Sequence, residues 1–195
     1  MTSMIAQIED PELLDRVVAA ARRCFARFGV DRTTMQDIAT EAGIGRTGVY
    51  RLGVTRPEIT EAAIVTRLRE LGEEIRRIAA QDGPFPELLT RTSLATVEIA
   101  RSDPELRHLL DTTETVSLHR LLTGRDSQMQ GIVLDVLSPM LTRARSRGEL
   151  RPGLDDNRVV EWLRGVYLML ILREDLDADG ERALIVDFVL PSLAT

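Results

Sequence analysis

The sequence has no lysine, a single cysteine and few aromatic residues. All 25 basic residues are arginine, and four Phe, two Tyr and one Trp are spread over 195 residues. A single cysteine, Cys24, excludes an internal disulfide framework, and its apolar neighbours favour a small buried side chain over a redox sensor. No apolar run approaches the roughly 20 residues of a membrane span, and the first residues lack the basic end of a signal peptide. These absences predict a cytoplasmic protein with no membrane partner.

The residues that enzymes use are also sparse. His108 and His119 are eleven positions apart with no cysteine near them, which does not match a metal site. There is no glycine-rich phosphate loop and no Ser/His/Asp order. The acidic run at 175–180 resembles the opening of a calcium loop, but Val186 stands where the twelfth ligand should be. We therefore predict no enzyme, no metal and no cofactor; a helical enzyme using either histidine is the least favoured alternative.

Apolar residues recur at intervals of three and four along most of the chain, which predicts an all-α protein. Proline, glycine and capping residues divide the pattern into helices. The predicted helices span about 10–28, 34–42, 45–51, 55–80, 86–101, 104–110, 112–122, 127–147, 155–173 and 178–193.

The stretch from Thr33 to Glu58 carries the clearest motif. Thr34 and Asp37 have the spacing of a capping box, and Gly43 supplies the left-handed turn that ends a short helix. A second short helix follows with Val49 facing inward. Two short helices joined by a tight glycine turn form a helix-turn-helix, whose second helix enters the DNA major groove. The alternative is a pair of packed structural helices.

Charge supports the DNA-binding interpretation, although the net charge is −6. Between Arg16 and Arg56 there are eight arginines and three acidic residues, whereas acidic residues outnumber arginines on both sides of that segment. The positive excess therefore coincides with the helix-turn-helix, where phosphates would bind.

The segment from Val17 to Ile59 resembles the N-terminal domain of the TetR (tetracycline-repressor-type) family of bacterial transcription regulators. The resemblance is carried by these stretches: Ala20-Ala21, Phe25-Ala26-Arg27-Phe28-Gly29, Thr33-Thr34-Met35-Gln36-Asp37-Ile38-Ala39, Ala42-Gly43-Ile44, Gly48-Val49-Tyr50 and Arg56-Pro57-Glu58. Farther along, the run at 147–152 is similar to a loop between the family's last helix pairs. The resemblance implies a DNA-binding domain at 1–56 and a helical domain for ligand binding and dimerisation at 57–195.

The resemblance also implies which residues contact DNA. Arg46 and Thr47 match base-contacting positions, and Gly48 permits close approach of the backbone. The positions that match phosphate or neighbouring contacts are Thr34, Gln36, Tyr50, Arg51 and Arg56. Arg51 has the alternative of a surface ion pair with Glu41.

The chain departs from the family pattern after the second helix of the motif. Leu52 and Gly53 replace two residues that are usually aromatic or histidine, and Gly45 replaces a serine cap. This departure keeps open the alternative of a helical ligand-binding or protein-interaction module that has lost DNA binding.

An effector pocket is expected in the second domain, between the helices from 86 to 147. The low aromatic content favours an aliphatic pocket over an aromatic one. The candidate pocket residues are Arg91, Thr92, Thr96, Asp111, His119 and Met129.

The last two helices carry more apolar residues than one small bundle can cover, which predicts a two-fold homodimer. The candidate interface residues are Val159, Trp162, Leu163, Val166, Leu170, Leu184 and Phe188. Taken together, the sequence predicts a dimeric, ligand-responsive repressor that a small molecule releases from a palindromic operator.

Overall fold

The computed structural model describes residues 10–45, 48, 52–111, 128–173 and 175–195, and these residues form two compact units. We call the first unit, Met1–Arg67 with Pro104–Leu118, the head. The second unit, Leu68–Asp103 with His119–Thr195, is the body. The predicted division of function between 1–56 and 57–195 stays a prediction, because these units are defined by contacts alone.

Regular structure in the described ranges is helical, which confirms the predicted all-α class. The helices are α1 (Pro11–Phe28), α2 (Met35–Glu41), α3 (Arg56–Ala79), α4 (Phe85–Ser102), α5 (Pro104–Asp111), α6 (Gln128–Ser146), α7 (Asp156–Leu172), α8 (Ala178–Leu184) and α9 (Leu190–Leu193). The helix predicted over 112–122 lies outside the described residues.

The head is built on the apolar face of α1. Asp10 caps this helix by accepting a hydrogen bond from the Leu13 N–H, and Gly29 ends it with φ +85°. Val17, Ala21 and Phe25 are buried on one side of α1. Further buried apolar residues of the head come from three other helices: Ile38 and Ala39 of α2, Ile59 and Ile64 of α3, and Leu106 and Leu109 of α5.

The body has a larger core, formed mainly by α4, α6, α7 and the last helical segment. Within it, the Ser93 and Tyr167 hydroxyls are hydrogen-bonded at 3.0 Å, so two buried polar groups satisfy each other. Arg101 holds the end of α4 by donating to the Leu170 carbonyl at 2.8 Å and to Glu181 at 2.6 Å.

The last helix was predicted as a single α-helix, but the structure inserts a π turn over Ile185–Val189 between α8 and α9. The buried residues Glu181, Ile185, Val189 and Leu193 are each four positions apart. At 3.6 residues per turn, a four-residue spacing drifts around an α-helix, and a wider turn corrects that drift. The π turn therefore keeps the buried residues on one side and leaves Phe188 exposed.

Candidate nucleic-acid interface and body cavity

The capping box at the start of α2 is present as predicted. The Thr34 hydroxyl accepts a hydrogen bond from the Asp37 N–H at 3.2 Å. In return, Asp37 Oδ2 accepts from the Thr34 N–H at 2.9 Å and from its hydroxyl at 2.6 Å. These hydrogen bonds lower the pKa of the Asp37 carboxyl below its usual 3.8. The box fixes the direction in which the chain enters the helix-turn-helix.

Gly43 makes the corner after α2, with φ +67°. The Gly43 N–H donates to the Thr40 carbonyl at 3.1 Å, and the Ile44 N–H donates to the Ala39 carbonyl at 3.0 Å. Because a left-handed conformation disfavours any residue with a side chain, glycine is required here. The tight corner predicted from the sequence is confirmed.

Of the eight predicted DNA contacts, four lie in the described part of the chain. Thr34 and Gln36 are exposed at the start of α2, where side chains can reach a phosphate. Arg56 donates from Nη1 to the carbonyls of Val30 and Asp31, at 3.1 and 3.0 Å. This pairing ties the α1–α2 loop to the start of α3, a structural role that the sequence did not indicate.

Gly48 packs beside Ile44. A Cβ built at Gly48 would lie 3.4 Å from the Cβ of Ile44, at van der Waals contact. The other four predicted contacts, Arg46, Thr47, Tyr50 and Arg51, lie outside the described residues.

Several arginines of the head are already paired within it. Arg22 binds Glu105 through Nε and Nη2, at 2.6 and 2.9 Å. Glu41 is bound by Arg23 at 2.6 Å and by Arg27 at 3.4 Å, and Arg23 lowers the pKa of the Glu41 carboxyl. The arginine excess counted from the sequence therefore overstates the positive charge that is left for phosphates. These ion pairs also show that Glu41 has partners other than Arg51.

The departure at Leu52 and Gly53 has a conformational explanation. Gly53 has φ +65°, in a turn just before α3. A Cβ there would meet no atom within 4 Å, so backbone conformation rather than lack of space accounts for glycine. A larger residue at position 53 would need a different turn.

The body encloses a cavity of about 110 Å³ with an almost entirely apolar wall. The lining includes Leu71 and Ile75 of α3, Ala100 of α4, Val133 and Leu137 of α6, and Ile171 of α7. Tyr167 is the one aromatic residue among the described lining residues, and burial raises its pKa to about 12. Arg164 borders the cavity and lies under the electrostatic influence of Glu161.

Two predicted pocket residues, Thr96 and Met129, line this cavity. The other described ones do not: Thr92 is fully buried, while Arg91 and Asp111 are exposed, with Asp111 in the head rather than the body. His119 lies outside the described residues. The cavity lining also includes residues of α3 and α7, which were not among the candidates because apolar residues at helical spacing cannot be told apart from ordinary core residues in a sequence.

The predicted dimer-interface residues separate into two groups. Val159, Leu163, Val166 and Leu170 are buried in the subunit's own core, so they cannot form an exposed interface. Leu184 is partly buried against that core. Trp162 and Phe188 are 48% and 67% exposed, and Leu172 is 71% exposed although it was not predicted. Helical periodicity alone does not indicate which face of each helix is exposed.

Two features are absent from the described residues. None of their helices combines the length and the apolar character that a bilayer crossing requires. They also contain no cluster of three His, Cys, Asp or Glu side chains placed as metal ligands.

The capping box predicts a pH-sensitive contribution to stability. Since the pKa of Asp37 is lower in the folded chain, its stabilisation is full above the unfolded value near 3.8 and is lost as pH falls through the lowered pKa. We expect Thr34→Val to raise the Asp37 pKa towards 3.8 in a carboxyl NMR titration, and to cost about 1 kcal/mol of unfolding free energy.

Thr40→Val is the matched control, because the Thr40 hydroxyl donates to the Gln36 carbonyl and does not contact Asp37. An Asp37 pKa that is the same in wild type and Thr34→Val would contradict the assignment.

Comparison with known proteins agrees with this geometry. The family model for bacterial regulatory proteins of the tetR family matches residues 17–52, the segment that contains the helix-turn-helix. An HTH-type transcriptional regulator of Mycobacterium tuberculosis is 27% identical, over 92% of this chain and 86% of the relative. The HTH-type transcriptional repressor BepR of Brucella suis is 30% identical, over 73% of this chain and 70% of BepR.

The fold also matches SmeT, the repressor of the Stenotrophomonas maltophilia multidrug efflux pump SmeDEF. That structure superposes with a TM-score of 0.54 at 25% identity, covering 93% of this chain and 90% of SmeT. SmeT has also been solved in complex with triclosan. With the helix-turn-helix, the helical body and these relatives in agreement, the chain belongs to the TetR family of DNA-binding bacterial transcriptional regulators.

Proposed function

We propose that this protein is a ligand-responsive repressor that binds a palindromic operator as a homodimer and leaves it when a small apolar molecule fills the body cavity. One observation carries the proposal: α3 is a single helix whose first part belongs to the head and whose second part lines the cavity through Leu68, Leu71, Gly72 and Ile75. Whatever displaces its cavity-lining part acts on the same helix that the head contains.

Repression requires that the head contact DNA. We assign base contacts to Arg46 and Thr47, close backbone approach to Gly48, and contacts with phosphates or neighbouring bases to Tyr50 and Arg51. Thr34, Gln36 and Arg56 complete the proposed set of phosphate contacts. The exposure of Thr34 and Gln36 supports this assignment. Phosphate contacts would position the head, and an arginine bound to a guanine edge would supply sequence discrimination.

The operator prediction uses the purified full chain and a pool of random duplexes. We expect enrichment of a palindromic site, because two identical heads related by a two-fold axis select two equal half-sites. The logarithm of the binding constant should fall linearly with log[salt], because phosphate contacts release counterions. Arg46→Ala should weaken the free energy of operator binding by about 1–3 kcal/mol and relax specificity at one position of each half-site. Fluorescence anisotropy measures both effects.

Arg151→Ala is the matched control, because Arg151 is an exposed arginine of the body between α6 and α7, off the proposed dimer face. It should leave operator affinity unchanged. Enrichment of no sequence by the folded dimer would contradict the repressor proposal and favour the interaction module suggested by the Leu52–Gly53 departure.

A homodimer is supported by the apolar side chains that the body leaves uncovered. Trp162 and Met169 are seven positions apart on one face of α7, and Leu172 extends that face by almost one further turn. The π turn adds Val186 and Phe188. A second copy of the same surface would cover these residues by a two-fold axis, as isologous interfaces do.

We expect Phe188→Arg to convert the dimer into a monomer, because an arginine buried at the interface would lack a compensating partner. Analytical ultracentrifugation gives the oligomeric state, and fluorescence of the single Trp, Trp162, reports its loss of cover. The control is Glu12→Arg, which introduces the same side chain at an exposed position of α1 in the head. A wild type that sediments as a monomer would overturn the assignment.

The cavity wall supports an uncharged, apolar ligand. The polar groups beside it are already engaged: the Thr96 hydroxyl donates to the Thr92 carbonyl at 2.8 Å, and Tyr167 is hydrogen-bonded to Ser93. Burial lowers the pKa of the Arg164 guanidinium, and the negative charge of Glu161 partly opposes that shift, so a carboxylate is present in the subunit to balance its charge. A charged ligand would lose its hydration without a free counter-charge.

We therefore expect toluene, but not benzoate, to stabilise the protein and to release it from the selected operator. An apolar cavity of comparable size is known to hold a benzene ring. At about one hundred times its Kd, toluene should add about 2.7 kcal/mol to the unfolding free energy, measured by calorimetry. Ala100→Leu should fill the cavity and abolish this effect.

The matched control is Glu98→Leu, an exposed position on the same helix. Equal stabilisation by benzoate, or undiminished toluene binding in Ala100→Leu, would rule out an uncharged ligand in this cavity.

A further inference from the structure

Gly72 lies where the backbone of α3 packs directly against side chains of α6. A Cβ built at this glycine would lie 3.2 Å from Cγ2 of Val136 and 3.5 Å from Cγ2 of Ile132. Non-bonded carbon atoms attract best at about 3.5–4.0 Å. A side chain at this position would therefore require Val136 or the helix itself to move by a few tenths of an ångström.

The same three residues form part of the cavity wall. Gly72, Ile132 and Val136 all line it, so the close approach of α3 to α6 is one of its boundaries. Two other helical glycines, Gly131 of α6 and Gly165 of α7, have no atom within 4 Å of a built Cβ. Among these helical glycines of the body, the close contact distinguishes Gly72.

The end of α3 beyond Gly72 is tied to α6. Arg143 of α6 donates to the Ala79 carbonyl at 2.6 Å and to the Gln81 carbonyl at 3.2 Å. At 1.5 Å per residue, Ala79 is about 10 Å from Gly72 and about 35 Å from Arg56 along the helix. If α3 tilts as a rod about the Arg143 anchor, a shift at Gly72 grows about threefold at Arg56.

We propose that the Gly72 contact is the element through which filling of the cavity moves α3, and that a methyl group at this position imitates the bound ligand. This inference rests on the proposed function, because the movement has a regulatory meaning only if the head binds DNA. A ligand that widens the gap between α3 and α6 favours a second position of the helix. The operator favours the position that α3 has without ligand. Ligand and operator therefore compete, because each favours a different position of the helix.

The test compares two variants that add the same methyl group to a helix of the body, Gly72→Ala and Gly131→Ala. Both gain helix propensity, and only the first meets another side chain. Without any ligand, we expect Gly72→Ala to bind the selected operator about tenfold more weakly than wild type, within the range of allosteric couplings. Gly131→Ala should bind it as wild type does.

Rescue distinguishes displacement of α3 from general damage to the fold. Val136→Ala removes the methyl group that the new Cβ would meet. The double variant Gly72→Ala/Val136→Ala should therefore recover wild-type operator affinity, giving a coupling energy in a double-mutant cycle. A Gly72→Ala variant with unchanged operator affinity, or a double variant no better than Gly72→Ala, would overturn the proposal.

A second measurement needs no DNA. Spin labels at Asp15→Cys on α1 and Arg151→Cys between α6 and α7, both exposed positions, report the head-to-body distance in a Cys24→Ala background diluted with unlabelled chain. We expect this distance to change in Gly72→Ala and to stay unchanged in Gly131→Ala. If the distance changes but the protein selects no operator, the proposed function is contradicted and the inference about Gly72 is supported. If the distance does not change but the protein selects an operator, the inference is contradicted and the proposed function is supported.

Discussion

The backbone hydrogen bonds of α3 impose the constraint on which the two units depend. This helix extends without interruption from Arg56 to Ala79, and its hydrogen bonds prevent it from bending freely between its two halves. A capping box of Thr55 and Glu58 stabilises its start, and Arg143 binds the carbonyls at its end. Because both ends of α3 are hydrogen-bonded, we expect a force on the middle of the helix to move the whole helix rather than to unwind its ends.

In the proposed function, the cavity gives that constraint a regulatory use. The apolar atoms that line this space of about 110 Å³ can make further van der Waals contacts with a ligand that fits there. A ligand that makes those contacts is stabilising in proportion to its fit. Binding then changes the position of α3 only if the ligand fits one position better than the other, which is the condition for any population shift.

The sequence predicted local features well, since they depend on neighbouring residues. The Thr34–Asp37 box, the Gly43 corner and the starts and ends of most helices follow from capping and glycine chemistry alone. The SmeT structure and the family match agree with the all-α fold that the apolar periodicity indicated.

Features set by tertiary packing were not predictable in the same way. Leu163 and Leu170 carry the same apolar signal as Trp162, yet only Trp162 is exposed. The π turn in the last helix and the carbonyl partners of Arg56 depend on three-dimensional contacts. The role of Gly72 was hidden as well, because a helical glycine in a sequence does not reveal whether another helix packs against it.

Reciprocal binding is the most direct test of the central claim that one helix serves both sites. Isothermal titration would give the Kd of toluene with and without saturating operator, and the Kd of operator with and without saturating toluene. The account predicts that each ligand weakens the other by the same factor, as linkage requires. Two dissociation constants that do not change, with both ligands bound at once, would show that the cavity does not control the head.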